Sequence, residues 1–323
     1  MTQLYNFPEN TRFLVTGGAG FIGSHLVDKL LNLNMQVVVL DDFSSGKKGN
    51  LQHVMGHEKL TLITGDIRDL DTCQKACSGV DYVLHQAAIG SVPRSIENPL
   101  ISHDVNVNGF VNMLKAATDH KVKRFVYASS SAVYGDEETL PKKEGIEGKL
   151  LSPYAVTKYI DELYAKNFGT VYGLQTIGLR YFNVFGPRQD QDSIYAAVIP
   201  LFVKKLLENK APTINGDGLQ SRDFTYIDNV VDANLKACLA NERACGEAYN
   251  IAFGSRAFLN DLYKKLCQLL NKDIKVNYGP DRVGDIKHSN ADIAKAIKNL
   301  NYAPKIDLNR GLELSIQWYK ENV

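Results

Sequence analysis

The sequence predicts an α/β protein in which a doubly wound parallel sheet is followed by a smaller C-terminal α/β lobe. Three observations predict it. Short apolar, β-branched runs alternate with segments of helical spacing as far as residue 189. A glycine-rich turn joins the first run to the first helical segment. After "FGPRQ" (185–189) the rhythm gives way to shorter elements and turn clusters such as "NGDG" (215–218) and "YGPDRVGD" (278–285).

The elements follow in order. "RFLVTG" (12–17) is the first strand, and "GSHLVDKLLNLN" (23–34) is a helix that repeats Leu26, Leu30 and Leu33 on one face. Strands are predicted at 36–42, 60–67 and 81–88, with a helix at 71–79. A helix at 106–120, a strand at 124–131, a helix from about 153 to 172 and a strand at 174–186 continue the alternation. Runs this apolar read as parallel strands covered on both faces. "FTYIDNVVDANLKACL" (224–239) reads as a helix that returns to the first unit. The expected division is therefore residues 1–189 plus about 224–250 in one domain, and about 190–223 plus 251–323 in the other. A ligand is expected between them, at the carboxyl ends of the strands.

Composition excludes several classes of function. A formal net charge of +1 gives no bulk attraction to nucleic acid or to an anionic membrane. No apolar run approaches the roughly 20 residues that span a bilayer, and "MTQLYNFPEN" has neither the basic nor the apolar region of a signal peptide. The five cysteines, Cys73, Cys77, Cys238, Cys245 and Cys267, are odd in number and scattered, which argues against a disulfide framework and fits a reducing, cytoplasmic setting. Cys73 and Cys77 are read as structural thiols, and His53 and His57 as packing or surface residues. No metal site is expected, because zinc usually takes three or four ligands.

Two motifs carry chemistry. "VTGGAGFIGS" sets Gly17, Gly20 and Gly23 between a strand and a helix. The first glycine allows the tight turn, the second lets the backbone approach a pyrophosphate, and the third lets the helix pack closely on the sheet. The helix N-terminus then faces the phosphates. Asp41, at the end of the second strand, can accept hydrogen bonds from the adenosine ribose hydroxyls and would repel a 2′-phosphate, which favours NAD over NADP. The second motif is "SPYAVTK" (152–158), where Tyr154 and Lys158 stand one helical turn apart. By themselves they are an ordinary amphipathic pair.

Added to the glycine turn, this motif resembles the extended short-chain dehydrogenase/reductase family, whose sheet is Rossmann-type. The resemblance runs through "GDIRD" (65–69), "HQAA" (85–88), "NVNG" (106–109), "SSSAVYG" (129–135), "RYFNVFGPRQ" (180–189), "RDFTYIDNV" (222–230) and "RVGD" (282–285). It implies that Asp66 and Ile67 flank the adenine, that Gln86, Ala87 and Ala88 run along the cofactor, and that Asn106 lies near it. It adds Phe21, Ile22, Asp42, Ser45, Ser129 and Tyr181 to the cofactor site. It implies that Asn183, Arg222 and Arg282 grip the substrate pyrophosphate, with Asp285 on the uridine-side ribose. Ser91, Val198, Asn215 and Ser289 complete the implied substrate contacts. Lys158 would hydrogen-bond the nicotinamide ribose and make Tyr154 easier to ionise, since opposite charge favours the ionised form. Tyr154 is then the general base. Ser130 would be the catalytic serine, with Ser131 as the alternative.

Dehydratases in this family carry an acidic pair after the catalytic residue, and decarboxylases a glutamate. Ser131 and Ala132 stand there instead, which resembles the epimerases. The implied reaction moves hydride from the sugar C4 to NAD, lets the 4-keto sugar turn about its pyrophosphate link, and returns hydride to the other face. "HQAAIGSVPRSIENP" (85–99) and "INGDGLQSRDFTYIDN" (214–229) resemble the bacterial branch that acts on UDP-N-acetylhexosamines. Ser289 stands where epimerases limited to UDP-glucose and UDP-galactose tend to carry tyrosine. The expectation is a UDP-N-acetylglucosamine 4-epimerase. UDP-glucose or uronic-sugar epimerisation stay open, with dehydration or decarboxylation behind them. The resemblance also implies a homodimer formed through helices near 106–120 and 153–172.

Overall fold

A computed structural model describes residues 5–190, 197–280 and 287–322. Seven parallel strands form its central sheet. The first six are β1 (Arg12–Thr16), β2 (Gln36–Asp41), β3 (Leu60–Thr64), β4 (Tyr82–His85), β5 (Arg124–Ser130) and β6 (Thr176–Tyr181). The seventh, Glu247–Ile251, pairs with β6 at the edge, and the order across the sheet is seventh, β6, β5, β4, β1, β2, β3. The order reverses between β1 and β4, so the loops after these two strands diverge and leave a crevice.

Alternation along the strands builds two separate cores. Phe13, Val15, Val37, Val39, Leu84 and Val126 point to one face, and Leu14, Val38, Leu40, Val83, Phe125 and Tyr127 to the other. The first face is covered by α1 (Phe21–Asn32), which buries Leu26, Val27 and Leu30. The second is covered by α2 (Leu70–Cys77) and, further along the chain, by Phe110, Met113 and Leu114. Each such side chain contributes roughly 1.5–3 kcal/mol by leaving water. Short helices α3 (Val92–Glu97) and α4 (Pro99–His103) follow β4, and one π-helical turn, Asp104–Asn108, carries α4 directly into α5 (Gly109–Asp119). The expected helix at 106–120 is thus the second half of a longer one, started by Asn98, whose side chain accepts from the Ile101 N–H.

Helix α6 (Pro153–Tyr172) has the span expected from sequence. Ser152 caps it by accepting from the Ala155 N–H at 3.1 Å, Pro153 occupies its first position, and Gly173 ends it in the left-handed region. The strand expected at 174–186 is broken. β6 stops at Tyr181, Asn183 turns the chain at φ +33°, and Val184–Phe185 pairs instead with Thr225–Tyr226. The helix expected at 224–239 begins after that short strand, as Ile227–Leu239, and packs against α1 and the sheet. Beyond Asn183 the chain adds α7 (Val198–Leu207), and later a helix over Leu259–Leu270. The rings of Phe202 and Tyr263 meet edge to face between them at 5.5 Å. Among the described residues no helix is long and apolar enough to cross a membrane.

Candidate active site

A cavity of about 450 Å³ lies over the carboxyl ends of the strands. Gly17 enters it at φ +65°, and a Cβ there would sit 2.8 Å from the Ala87 nitrogen. A Cβ on Gly23 would run into the Gly17 carbonyl. Both glycines are therefore required by close backbone approach. Gly20 caps α1 without any side-chain hydrogen bond, and Phe21, Ile22 and Gly23 of the first turn line the cavity. An uncapped helix start of this kind suits a phosphate.

Asp41 stands across the cavity, accepting from the Ala19 N–H and the Phe43 N–H, each at 2.8 Å. Burial raises its carboxyl above the ordinary range, against the pull of those two amides. Asp42, Ser45, Asp66 and Ile67 line the same end. Arg68 hydrogen-bonds Asp66 and holds its carboxyl below the usual range. Gln86, Ala87 and Ala88 run along the floor. Tyr181 donates to Gln86 Oε1 at 3.2 Å and accepts from Asn234 Nδ2 at 2.9 Å. Asn234, which sequence reasoning missed, sits on the helix Ile227–Leu239 and so ties this helix to the cavity floor.

At the far end Ser129, Ser130, Tyr154 and Lys158 share the cavity wall. Ser129 donates to Glu162 Oε1 at 2.6 Å. Ser130 ends β5, and its Oγ accepts from the Ala132 N–H at 3.1 Å. Ser131 opens the short turn Ser131–Tyr134 and does not line the cavity. The Tyr154 backbone N–H donates to Ser95 Oγ at 3.0 Å, so α3 fixes the start of α6. The Lys158 side chain is 2% exposed, with its Nζ 3.0 Å from Asp161 Oδ2. Burial pushes the Lys158 ammonium down, but Asp161 and Tyr154 beside it more than offset this, and its pKa is raised. Asp161 and Ser95 were also missed: Asp161 belongs to no quoted motif, and nothing within 85–99 singles out Ser95.

A second cavity, of about 320 Å³, adjoins the first, and Asn183, Val184 and Gln189 line both. Asn183 Nδ2 donates to the Asp223 carbonyl at 3.0 Å. Val198, Asn215 and Arg222 line this second cavity, with Phe224 and Gln220. The Arg222 guanidinium also donates to the carbonyls of Ser221 and Lys287. Ser289 donates its N–H to the Ser221 carbonyl at 3.0 Å, beside Arg222, without lining either cavity. Arg282 and Asp285 lie outside the described residues.

Two further positions have supporting geometry. Asn106 is buried, accepts from the Ile89 N–H at 2.8 Å and donates to the Ile89 carbonyl and to Thr157 Oγ1. It braces Ile89, which lines the cavity, rather than lining it itself. Ser91 caps α3 by accepting from the Arg94 N–H. Cys73 and Cys77 are buried, and burial pushes both thiols up to about 12. His53 pairs with Asp28 at 2.8 Å. The His57 ring accepts from the Lys59 N–H. Among the described residues no group of three or more His, Cys, Asp and Glu is placed to hold a metal ion.

The model of the NAD dependent epimerase/dehydratase family matches residues 13–252. A putative UDP-glucose 4-epimerase of Methanocaldococcus jannaschii is 39% identical over 311 residues, covering 96% of this chain and 98% of that protein. A UDP-N-acetylglucosamine 4-epimerase from Methanobrevibacter ruminantium, solved with UDP-N-acetylmuramic acid, superposes with a TM-score of 0.93 at 40% identity, covering 98% of this chain and 100% of that one. The UDP-glucose 4-epimerase of Thermotoga maritima, solved with UDP-glucose, gives 0.90 at 35% identity, with 96% and 99% covered. The chain belongs to the NAD dependent epimerase/dehydratase family. It is an enzyme, and NAD is its cofactor.

The residues present fit that cofactor: backbone packed at Gly17 leaves no room for a side chain, α1 starts uncapped, and a carboxylate stands at Asp41. Gly17→Ala is therefore expected to strain a left-handed residue and push a methyl group into Ala87, at a cost of about 1–3 kcal/mol. Calorimetric titration of the cofactor-stripped variant should show NAD affinity at least ~10-fold weaker, with the far-ultraviolet dichroism of the fold retained. Unchanged affinity would show that the turn does not carry the pyrophosphate.

Proposed function

We propose that this protein is a UDP-hexose 4-epimerase and that, within this class, it interconverts UDP-N-acetylglucosamine and UDP-N-acetylgalactosamine. The observation that carries the reading is the joining of two cavities at Asn183, with Ser130, Tyr154 and Lys158 in the wall of the first. The acids that line the two cavities, among the described residues, are Asp41, Asp42 and Asp66, all at the β2 and β3 end. Eliminating water or assisting loss of carbon dioxide calls for an acid or base near the sugar beyond Tyr154. Inverting C4 does not.

Bound NAD supplies the hydride acceptor and donor. Tyr154 takes the proton of the C4 hydroxyl and returns it after the sugar has turned, while Ser130 hydrogen-bonds the reacting oxygen. Lys158 holds the cofactor ribose and stabilises the phenolate of Tyr154. Asn183 and Arg222, with Arg282, grip the pyrophosphate through charge-assisted hydrogen bonds, and Asp285 takes the uridine-side ribose. The hexose, held mainly through its pyrophosphate, is free to present either face. The remaining site assignments made from sequence, and the division into an NAD domain and a UDP-sugar lobe, belong to this same reading. So does a cytoplasmic location, which suits five free cysteines.

The N-acetylhexosamine assignment is supported by the likeness to the Methanobrevibacter enzyme and by a small Ser289 beside Arg222. The holoenzyme is expected to convert UDP-N-acetylglucosamine faster than UDP-glucose when both are followed in one NMR time course without added NAD. Tyr154→Phe should keep fold and cofactor but lose at least ~100-fold in turnover. Ser289→Tyr should slow the N-acetylated sugar far more than UDP-glucose. Preferential formation of UDP-galactose by the wild type would leave the mechanism and overturn the substrate.

We also propose a homodimer. Helix α6 exposes Val156, Leu163, Tyr164, Val171 and Tyr172, and Ile96 and Leu100 are exposed on the adjoining α3 and α4, whereas α5 exposes no large apolar residue. Exposed apolar side chains in this number on neighbouring helices suit an association surface. Light scattering should give twice the chain mass of 35.9 kDa, and Leu163→Glu should give the monomer. A monomeric wild type at working concentration would rule the dimer out.

A further inference from the structure

We propose that Asp161 is a positioning residue for the reaction: its buried carboxylate holds the Lys158 ammonium and offsets part of its charge, and so sets the pH above which Tyr154 accepts a proton. The inference deepens the epimerase reading and, in its kinetic part, rests on it.

The geometry is specific. Lys158 and Asp161 stand three residues apart on one face of α6, with Nζ and Oδ2 at 3.0 Å and side chains 2% and 0% exposed. An ammonium has three donors. One is taken by Asp161, and Lys158 still lines the cofactor cavity. The other carboxylate oxygen, Asp161 Oδ1, is buried with no hydrogen-bond partner. With Lys158 in place, an apolar residue there would leave the ammonium buried and uncompensated, so the carboxylate serves the lysine.

The surrounding charges single out this one. Glu162, next in sequence, is held by Arg180 of β6 through two contacts, at 2.7 and 2.9 Å, and by Ser129 of β5. Its charge is already met. His85 of β4, fully buried and stacked on Phe125, is kept neutral by burial and by the charge of Lys158. Tyr127 of β5 is buried and kept protonated. Tyr154 is the remaining titratable group that acts on Lys158 from α6 itself. Burial keeps the Asp161 carboxyl above its ordinary range even though Lys158 pulls it back, and where it is ionised the net charge that Tyr154 meets is that of an ammonium partly cancelled. A positive charge on the bound nicotinamide would favour the ionised carboxylate further.

The sign follows. Removing the carboxylate leaves Lys158 uncompensated, makes the Tyr154 phenolate easier to form, and moves the acidic limb of the rate profile to lower pH. The test compares NAD-loaded wild type, Asp161→Asn and Asp161→Glu in two ways. In the first, kcat for epimerisation is followed against pH. The limb of Asp161→Asn is expected about one unit or more below the wild type, while Asp161→Glu, which restores the charge, stays at the wild-type position. In the second, phenolate absorbance is titrated and the matching Tyr154→Phe protein is subtracted, which isolates Tyr154 among the 16 tyrosines. The same shift is expected. Asp161→Ser supplies the same charge deletion should the amide variant fold poorly. A uniform loss of kcat at every pH, with an unmoved limb and an unmoved titration, would reduce Asp161 to a structural role and overturn the proposal. If the wild type epimerises nothing, the functional reading fails, and the titration still decides the role of Asp161.

Discussion

A lysine side chain that is 2% exposed keeps its charge only where neighbouring groups offset the loss of water, and the rest of this site is arranged around that requirement. Asp161 meets Lys158 inside α6, while Glu162, one residue on, meets Arg180 of β6. The second of these contacts ties α6 to the sheet, and the first holds Lys158 within the helix. Ser152 and Pro153 fix where the helix begins, and Ser95 holds the Tyr154 amide from α3. The phenol and the ammonium therefore share one cavity wall on a rigid element, which is the condition for proton transfer in a defined direction.

The cofactor side depends on a different constraint, close backbone approach. Gly17 and Ala87 come from loops that diverge where the strand order reverses, and any side chain at Gly17 would close that gap. The second cavity begins where β6 ends. Asn183 turns the chain away at positive φ, and its side chain is held by the Asp223 carbonyl. Asn183 thus borders both cavities, with Val184 and Gln189. In the proposed reaction this arrangement grips the nucleotide through its phosphates and leaves the hexose with few rigid contacts.

The parts legible in the sequence are those fixed by local backbone rules. The glycine turn, the alternation of strands and helices, and the span of α6 were readable because glycine, β-branched runs and a Ser-Pro start act within a few residues. The strand expected at 174–186 continues its apolar pattern past Asn183, and the pattern does not record the left-handed turn that breaks it. The helix expected at 106–120 began too late, because the signal for its start, Asn98 and Pro99, stands on the far side of a π-helical turn. Asn234, Ser95 and Asp161 were missed because their roles depend on tertiary packing. Asn234 and Ser95 act across separations of 53 and 59 residues, and Asp161 reads on a helix as one more surface acid until burial is known. Asn106, expected near the cofactor from its motif, holds Ile89, which lines the first cavity.

In the proposed reaction C4 is inverted by removing a hydride and returning the same one. UDP-N-acetylglucosamine deuterated at C4, turned over by the holoenzyme in ordinary water, tests it most directly. The expected product is UDP-N-acetylgalactosamine with deuterium still at C4, read by NMR and mass spectrometry. Replacement of that deuterium by hydrogen from solvent would contradict the account, since it would mean that C4 loses a proton to water rather than lending a hydride.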